Sequence, residues 1–448
     1  MMVRLLGFIF FSSLVCSLYA QDEIAQDDNA QEILFEDTSD QDPDMDALRK
    51  WIREKRMITT KETGGDLSIS GDVRFNFADI SEKKDGIRQR GHHAATSKPA
   101  RPYQVAFNLL LDFRTERTWA AAKIGYKNEV GVQSGTSNKI KLSKAFFGGR
   151  LINGDSFTFD GELGRRSLGN VFDSRVQFAS TYDGALLGFS KAFETLGDYY
   201  TNLGVFLINN RRDYYGVAAE MGFLNIGNTG ALLKASYIDW KKYHRKTPDD
   251  FRFNFRVSQL LLGYQFKPEA WPKLIKFYAA GLFNDAAEKM SGVFTPRLPP
   301  VPTPEDIAEF NKLTEKLEKV KDNRYNWAWY AGFSIGQARK KGDWAIDTNY
   351  QWVQAQAVPD FDISGISRGN AQNIGMYIYD ENHGAPILTN LCNATGNANY
   401  HGWIFNALYA FTNNVTLTQQ FEISNTLNKC IGPNLSYKKF KMELLFTF

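Results

Sequence analysis

The side chains best suited to proton transfer are five histidines, His92, His93, His244, His383 and His401. Each falls in a predicted loop or at a strand end. No Ser–His–carboxylate arrangement can be placed on neighbouring strands, and the chain has no HExxH, P-loop or glycine-rich dinucleotide motif. His92 and His93 could take up a metal, but adjacent histidines in a loop are usually just solvated. The residues therefore point away from an enzyme, and no metal or cofactor is expected. Cys392 and Cys430 could form one disulfide or stand as two thiols. Charged residues at alternate positions stand out instead: Asp72, Arg74, Asp112, Arg114, Lys123, Lys127, Glu129, Asp160, Glu162 and Arg166. Ionised groups at this density cannot line a dry core without full pairing. On the wall of a water-filled passage they would set the field felt by a passing solute.

Such a wall needs strands to carry it. After Gly64-Gly65 the sequence takes up period two. Leu67, Ile69, Val73, Phe75 and Phe77 share one face, and Ser68, Ser70, Asp72, Arg74 and Asn76 the other. The pattern returns at 101–115, 343–354 and 401–412. It closes the chain with Phe440, Met442, Leu444, Phe446 and Phe448, alternating with Lys439, Lys441, Glu443, Leu445 and Thr447. Strands are predicted at 66–79, 101–115, 118–131, 139–151, 156–166, 182–194, 199–209, 214–224, 229–240, 253–267, 273–285, 325–338, 343–357, 401–412, 415–427 and 436–448. Their connections alternate. The links 80–100, 167–181, 241–252, 286–324 and 358–400 are long, whereas Thr115–Thr118, Asn153–Asp155, Asn225–Asn228, Arg339–Gly342 and Thr412–Asn414 are tight. An even strand count with one short and one long end predicts an all-β fold, a transmembrane antiparallel β-barrel of about sixteen strands. A barrel that wide leaves an aqueous hole.

The rest of the chain reads as follows. Residues 1–20 carry one positive charge, an apolar run from Leu5 to Phe11 and a small-residue tail ending in Ala20, as an export signal does. Residues 21–43 form an acidic segment expected to be disordered. Residues 44–64 are read as a short amphipathic periplasmic helix, through Met45, Leu48 and Ile52, with a linker. The barrel takes 65–448. Within the loop 286–324, a proline-rich stretch precedes an amphipathic helix over 304–321, through Ile307, Phe310, Leu313, Leu317 and Val320; it would fold into the mouth or cap it from outside. A mean hydropathy of −0.38 beside 14% aromatic residues suits a membrane barrel, which hides its apolar residues by alternation. The net charge of +3 gives no case for nucleic acid.

Two stretches carry a resemblance. The alternating carboxyl terminus ending on Phe448 resembles the signal by which outer-membrane barrels are recognised for insertion. That implies the barrel-assembly machinery as a partner. Gly164-Arg165-Arg166-Ser167-Leu168-Gly169, then Val171-Phe172-Asp173-Ser174-Arg175-Val176-Gln177-Phe178 and Tyr182-Asp183-Gly184-Ala185-Leu186, resembles the GR…DG(A)xL stretch of Gram-negative porins. Together with Gly65-Asp66-Leu67-Ser68-Ile69-Ser70-Gly71-Asp72-Val73-Arg74, it is most similar to the chlamydial-type branch. The resemblance implies an outer-membrane channel passing small hydrophilic solutes. Lipid and lipopolysaccharide would surround it, the amino terminus would be periplasmic and the long loops extracellular. The Pro-Glu-Phe-Gly-Gly motif of general trimeric porins is absent, so a homo-oligomer is not specified. By the same analogy 167–181 is the third external loop. It would place Arg165, Arg166, Asp173 and Arg175 near a constriction and tilt the passage weakly towards anions, unless these arginines anchor the loop through Asp160 or Glu162. The alternative is a surface barrel or adhesin acting through loops 286–324 and 358–400.

Overall fold

Alternation over ten or more residues, closed by turn formers, produces a sheet that meets itself. The computed structural model describes residues 58–62, 65–95, 99–129, 139–209, 214–242, 255–271, 273–287, 289, 298–359, 362–366, 398–431 and 434–448. The strands are β1 (Ile58–Glu62), β2 (Gly65–Lys84), β3 (Ile87–Arg88), β4 (Tyr103–Arg114), β5 (Thr118–Glu129), β6 (Lys139–Asn153), β7 (Phe157–Ser167), β8 (Thr181–Phe193) and β9 (Gly197–Asn209). They continue as β10 (Tyr214–Ile226), β11 (Ala231–Lys242), β12 (Arg256–Phe266), β13 (Ile275–Asn284), β14 (Trp327–Gly336), β15 (Trp344–Val353), β16 (Tyr400–Ala410), β17 (Val415–Thr426) and β18 (Leu435–Thr447). Helix α1 (Pro304–Glu318) lies between β13 and β14.

Of the eighteen strands, β1 and β3 are appendages and the other sixteen form one closed antiparallel barrel. The seam runs between the first and last of these, from Thr447↔Asp72 to Leu435↔Lys84. Closure removes the unpaired edges that an open sheet would expose. The tight turns fall where the sequence puts them: Thr115 N donates to Thr118 O at 2.8 Å and Thr412 N to Val415 O at 3.2 Å. Two differences from the sequence reading concern the amino-terminal side. Residues 58–62, read as linker, pair with the start of β2 from Ile58↔Ile69 to Glu62↔Gly65. Strand β2 also runs on to Lys84 and turns back through β3, where a loop was expected. The export signal, the acidic segment and the helix over 44–57 lie outside the described residues.

The outer face is apolar. Val73, Phe75, Phe107, Leu203, Leu260, Trp403 and Leu444 are exposed there. Rings band both ends of the barrel. Phe157, Phe189, Tyr199 and Phe223 touch in series near the tight turns, at 6.0, 6.2 and 5.0 Å. Trp329, Tyr350 and Trp403 do so towards the long loops, at 5.5 and 5.1 Å. Such girdles sit where hydrocarbon meets headgroups. At the seam Phe448 exchanges two backbone hydrogen bonds of 3.0 Å with Gly71 and stacks on Phe107. A side chain at 71 would collide with the Phe448 ring. Helix α1 begins with a reciprocal cap: Thr303 N donates to Asp306 Oδ2 at 2.8 Å, and Asp306 N to Thr303 Oγ1 at 3.2 Å. Past its end, buried Val320 joins the apolar cluster described below.

Candidate functional site

Strict alternation would make the whole inner wall polar, but the wall from β8 to β16 is not. Leu186, Phe206, Leu232, Ile238, Tyr278 and Leu282 point inward and are buried. They are covered by the connection between β7 and β8, which turns into the lumen after a 3-10 turn at Leu168–Asn170. Leu168, Phe172, Val176 and Phe178 of this connection are at most 2% exposed. Burial of each such side chain stabilises the inward position by about 1.5–3 kcal/mol.

Polar groups set where the loop lies. The Asp173 carboxylate accepts from Lys234 Nζ on β11 at 2.7 Å, its backbone N–H donates to Glu220 on β10 at 2.9 Å, and its carbonyl accepts from Gln259 on β12 at 2.6 Å. Burial raises the Asp173 carboxyl, but Lys234, Lys276 and Arg175 outweigh it and hold it below the usual range. Tyr200 on β9 donates to the far oxygen of Glu220 at 2.7 Å. Arg175 donates to Asp347 on β15 at 3.0 Å, lies over the Tyr278 ring at 5.2 Å, and its carbonyl accepts from Gln351 at 3.1 Å. Asn202 on β9 donates to the Val171 carbonyl at 3.3 Å, so one loop is tied to six strands, β9 to β13 and β15.

A second loop, entered after β15, clasps the first. Residues 343–357 were expected to be strand throughout, but β15 ends at Val353 and the chain bends inward. Gln177 bridges Ile363, Ser364 N donates to Val176 O at 2.8 Å, and Ser364 Oγ donates to Gln177 O at 2.8 Å. The buried Asp362 carboxylate accepts from Ser180 N at 3.0 Å and Phe178 N at 3.3 Å. Burial pushes its carboxyl up to about 7 against the pull of those hydrogen bonds.

The sequence-predicted residues separate into three groups. Asp173 and Arg175 do lie on the inward loop, and both are engaged with the wall. Arg166 faces inward beside Glu162, which also accepts from Trp119 Nε1 at 2.8 Å. Arg165 is the correction: it has the outward parity of Leu163 and pairs on the outer face with Asp183 at 2.7 Å. The GR…DG motif is a cross-strand clasp, Gly164 opposite Gly184 and Arg165 opposite Asp183. A Cβ at Gly184 would strike the Val205 carbonyl, and one at Gly164 the Ala145 carbonyl. The loop's charged residues therefore come as cation–carboxylate pairs and leave no surplus of arginine.

Asp72, Arg74, Arg114, Lys123, Asp160 and Glu162 all take inward positions. Arg74 binds Asp72 at 2.6 Å and approaches Glu443 at 3.9 Å; Arg114 binds Asp112 at 2.8 Å and Arg150 binds Asp160 at 3.1 Å. Inner positions of β9 to β18 and β2 are mostly buried, whereas those of β4 to β7 are mostly half-buried or exposed. The accessible side of the lumen is therefore β4–β7. Strand parity could have found Lys234, Glu220 and Asp347 as lumen residues; no local signal tells that a loop lies on them. Cys430 is half-buried against the apolar cluster, while Cys392 lies outside the described residues. His92 and His93 sit edge to face at 3.8 Å between ring centres. Among the described residues no group of three or more His, Cys, Asp or Glu could hold a metal.

No protein-family profile and no curated protein matches the chain. Among solved structures it is similar to OprB of Pseudomonas putida at high pH, at 9% identity and a TM-score of 0.49, covering 86% of this chain and 94% of that one. It is also similar to OmpF of Salmonella typhi in complex with daunomycin, at 11% identity and 0.45, covering 87% and 100%. OccD3 of Pseudomonas aeruginosa gives 11% identity and 0.42, covering 85% and 91%. The likeness is one of chain path.

Proposed function

We propose that the chain forms a water-filled channel of an outer membrane, through which small hydrophilic solutes diffuse. The observation that carries this reading is the closed sixteen-strand barrel with an apolar outer belt. Its inner wall is left open along β4–β7 while loops cover much of the opposite side. A barrel of this size is wider than wall side chains alone can fill, and the paired charges of the open wall suit water rather than a dry core. In this reading the first twenty residues direct export, the tight turns face the periplasm and the long loops face outward. Lipid, lipopolysaccharide and the barrel-assembly machinery are the surroundings, and no catalytic step is needed.

The weak anion preference expected from the loop arginines loses that basis, because Arg165, Arg166 and Arg175 each meet a carboxylate. Any preference must come from the open wall. Single-channel recording of the refolded chain in a planar bilayer, with a salt gradient, tests the reading. Discrete steps on the order of a nanosiemens are expected from a wide aqueous barrel. An inserted, heat-modifiable barrel that carries no current would overturn it and favour a surface barrel working through its loops.

A further inference from the structure

We propose that the outer face of β18, β2 and β3, just beyond the apolar belt at the long-loop end, docks a phosphorylated lipid headgroup. The proposal rests on the outer-membrane reading and adds a partner class and a place. Strand β2 outlasts the belt. After Phe75 and Phe77, which meet Tyr103 at 6.4 and 5.0 Å, its outward positions are Asp79, Ser81 and Lys83. The register sets Lys83 directly opposite Arg88 on β3 and Ser436 on β18, and Ser81 opposite Lys438. Direct partners share a face with Cβ atoms about 5 Å apart, and Lys83 and Lys438 are diagonal neighbours at about 7–8 Å. Lys83, Arg88, Lys438 and Ser81 are exposed, and Ser436 is half-buried. Three cations with two hydroxyls among them thus share one patch of sheet.

The charge of the patch is unbalanced. Residues 79–103 carry Asp79, Glu82 and Asp85 against six Lys and Arg, and 427–438 carry Lys429 and Lys438 with no acid. Each of those carboxylates is engaged elsewhere. Asp79 faces Arg101 at 3.7 Å, Glu82 points inward and accepts from Arg90 Nε at 3.0 Å, and Asp85 accepts from Asn434 N at 2.9 Å. Among the described residues no carboxylate lies within ion-pair distance of Lys83, Arg88 or Lys438. Like charges directly across a strand pair destabilise the sheet, and an anion between Lys83 and Arg88 relieves that repulsion. Height makes the anion a lipid. Below the patch the same face continues as Phe77, Phe75 and Val73 on β2 and Phe440, Met442 and Leu444 on β18, a bed for acyl chains. Lys438 stands only about 13 Å along the sheet from Phe77, and aromatic girdles mark where hydrocarbon meets headgroups. Basic clusters at that level attract anionic headgroups, and the arginine fork matches a phosphate.

The test uses the full chain refolded in non-ionic detergent, with diphosphoryl lipid A and its dephosphorylated form as probes. Native mass spectrometry reads the lipid retained on the heat-modifiable barrel. The parent chain and Lys340→Gln, a control on a tight turn at the other end, are expected to retain the phosphorylated probe about tenfold better. Combining Lys83→Gln, Arg88→Gln and Lys438→Gln is expected to abolish that preference, while retention of the dephosphorylated probe and conductance in planar bilayers stay as they were. A parent chain without the preference, or a triple variant that keeps it, overturns the site and leaves the channel standing. Phosphate-dependent retention on a barrel that carries no current supports the site and overturns the channel. Should the triple variant not regain its heat-modifiable form, Lys438→Gln is read alone. About threefold weaker preference supports the site, and an unchanged one overturns it.

Discussion

Two arginines ten residues apart do opposite jobs, and exposure separates them. Arg175 pairs with Asp347 at side-chain exposures of 15% and 4%, whereas Arg165 and Asp183 are 43% and 52% exposed. Removing one partner of a buried pair strands the other charge and costs about 3–5 kcal/mol, while an exposed pair contributes about 0–1 kcal/mol. Arg175→Ala is therefore expected to loosen the inward loop, raising both open-channel conductance and current noise. Arg165→Ala should leave both as they are, which paired recordings would show. Asp362 adds a pH dependence. Its carboxyl is raised to about 7, so the closed clasp holds the proton more tightly than the free loop does. The contribution is complete below the ordinary carboxylate value of about 4 and is lost as pH rises through about 7. Loop-related current noise should grow as pH rises from about 4 to about 7 and level off above it, and Asp362→Asn, which cannot ionise, should abolish the pH response.

At the scale of elements, the connection from β7 to β8 decides how much of the lumen is filled. It buries four large apolar side chains against the inner wall and is tied to six strands by hydrogen bonds, ion pairs and the contact of Arg175 with the Tyr278 ring. Replacing 171–180 by a short glycine–serine link is expected to raise single-channel conductance severalfold, since cross-section governs flow through an aqueous pore. It should also lower thermal stability, because Leu186, Phe206 and Leu232 would then face water. Unchanged conductance would mean that the narrowest point lies elsewhere. Glycine matters in the same region: the strands beside Gly164 and Gly184 approach so closely that a Cβ at either would meet a carbonyl oxygen. The motif that resembles a porin signature is thus a packing device at the foot of the loop.

For the whole molecule, closure is the decisive event, and the last residue completes it. Phe448 hydrogen-bonds both ways with Gly71 and stacks on Phe107. Deleting Phe448, or substituting Gly71→Leu, is expected to lower the yield of heat-modifiable barrel on refolding into detergent. Gly86→Leu, in a turn with open space around it but a positive φ of 84°, should show a smaller loss that reflects backbone strain alone. Equal losses for the two glycine variants would argue that the seat for the terminal ring is unimportant.

The strand count, the even parity, the tight and long ends and the outward set Phe440, Met442, Leu444, Phe446 and Phe448 were all legible in the sequence. They follow from period two, a local property that any observer of the chain can count. The same arithmetic erred where a bulge or a loop intervened. It could not tell that a bulge sets Lys141 and Lys144 on one face, or that β15 stops at Val353; Arg165 it does set outward with Leu163, and only the analogy with a constricting loop drew that residue inward. Nor could it show that apolar residues such as Phe206 and Tyr278 belong inside a barrel, since alternation says which residues share a face but not what covers that face. The pairs Asp173–Lys234, Arg175–Asp347 and Asp362 with Ser180 join residues far apart along the chain. Only the closed sheet, which brings β7, β11 and β15 around one lumen, decided that they meet.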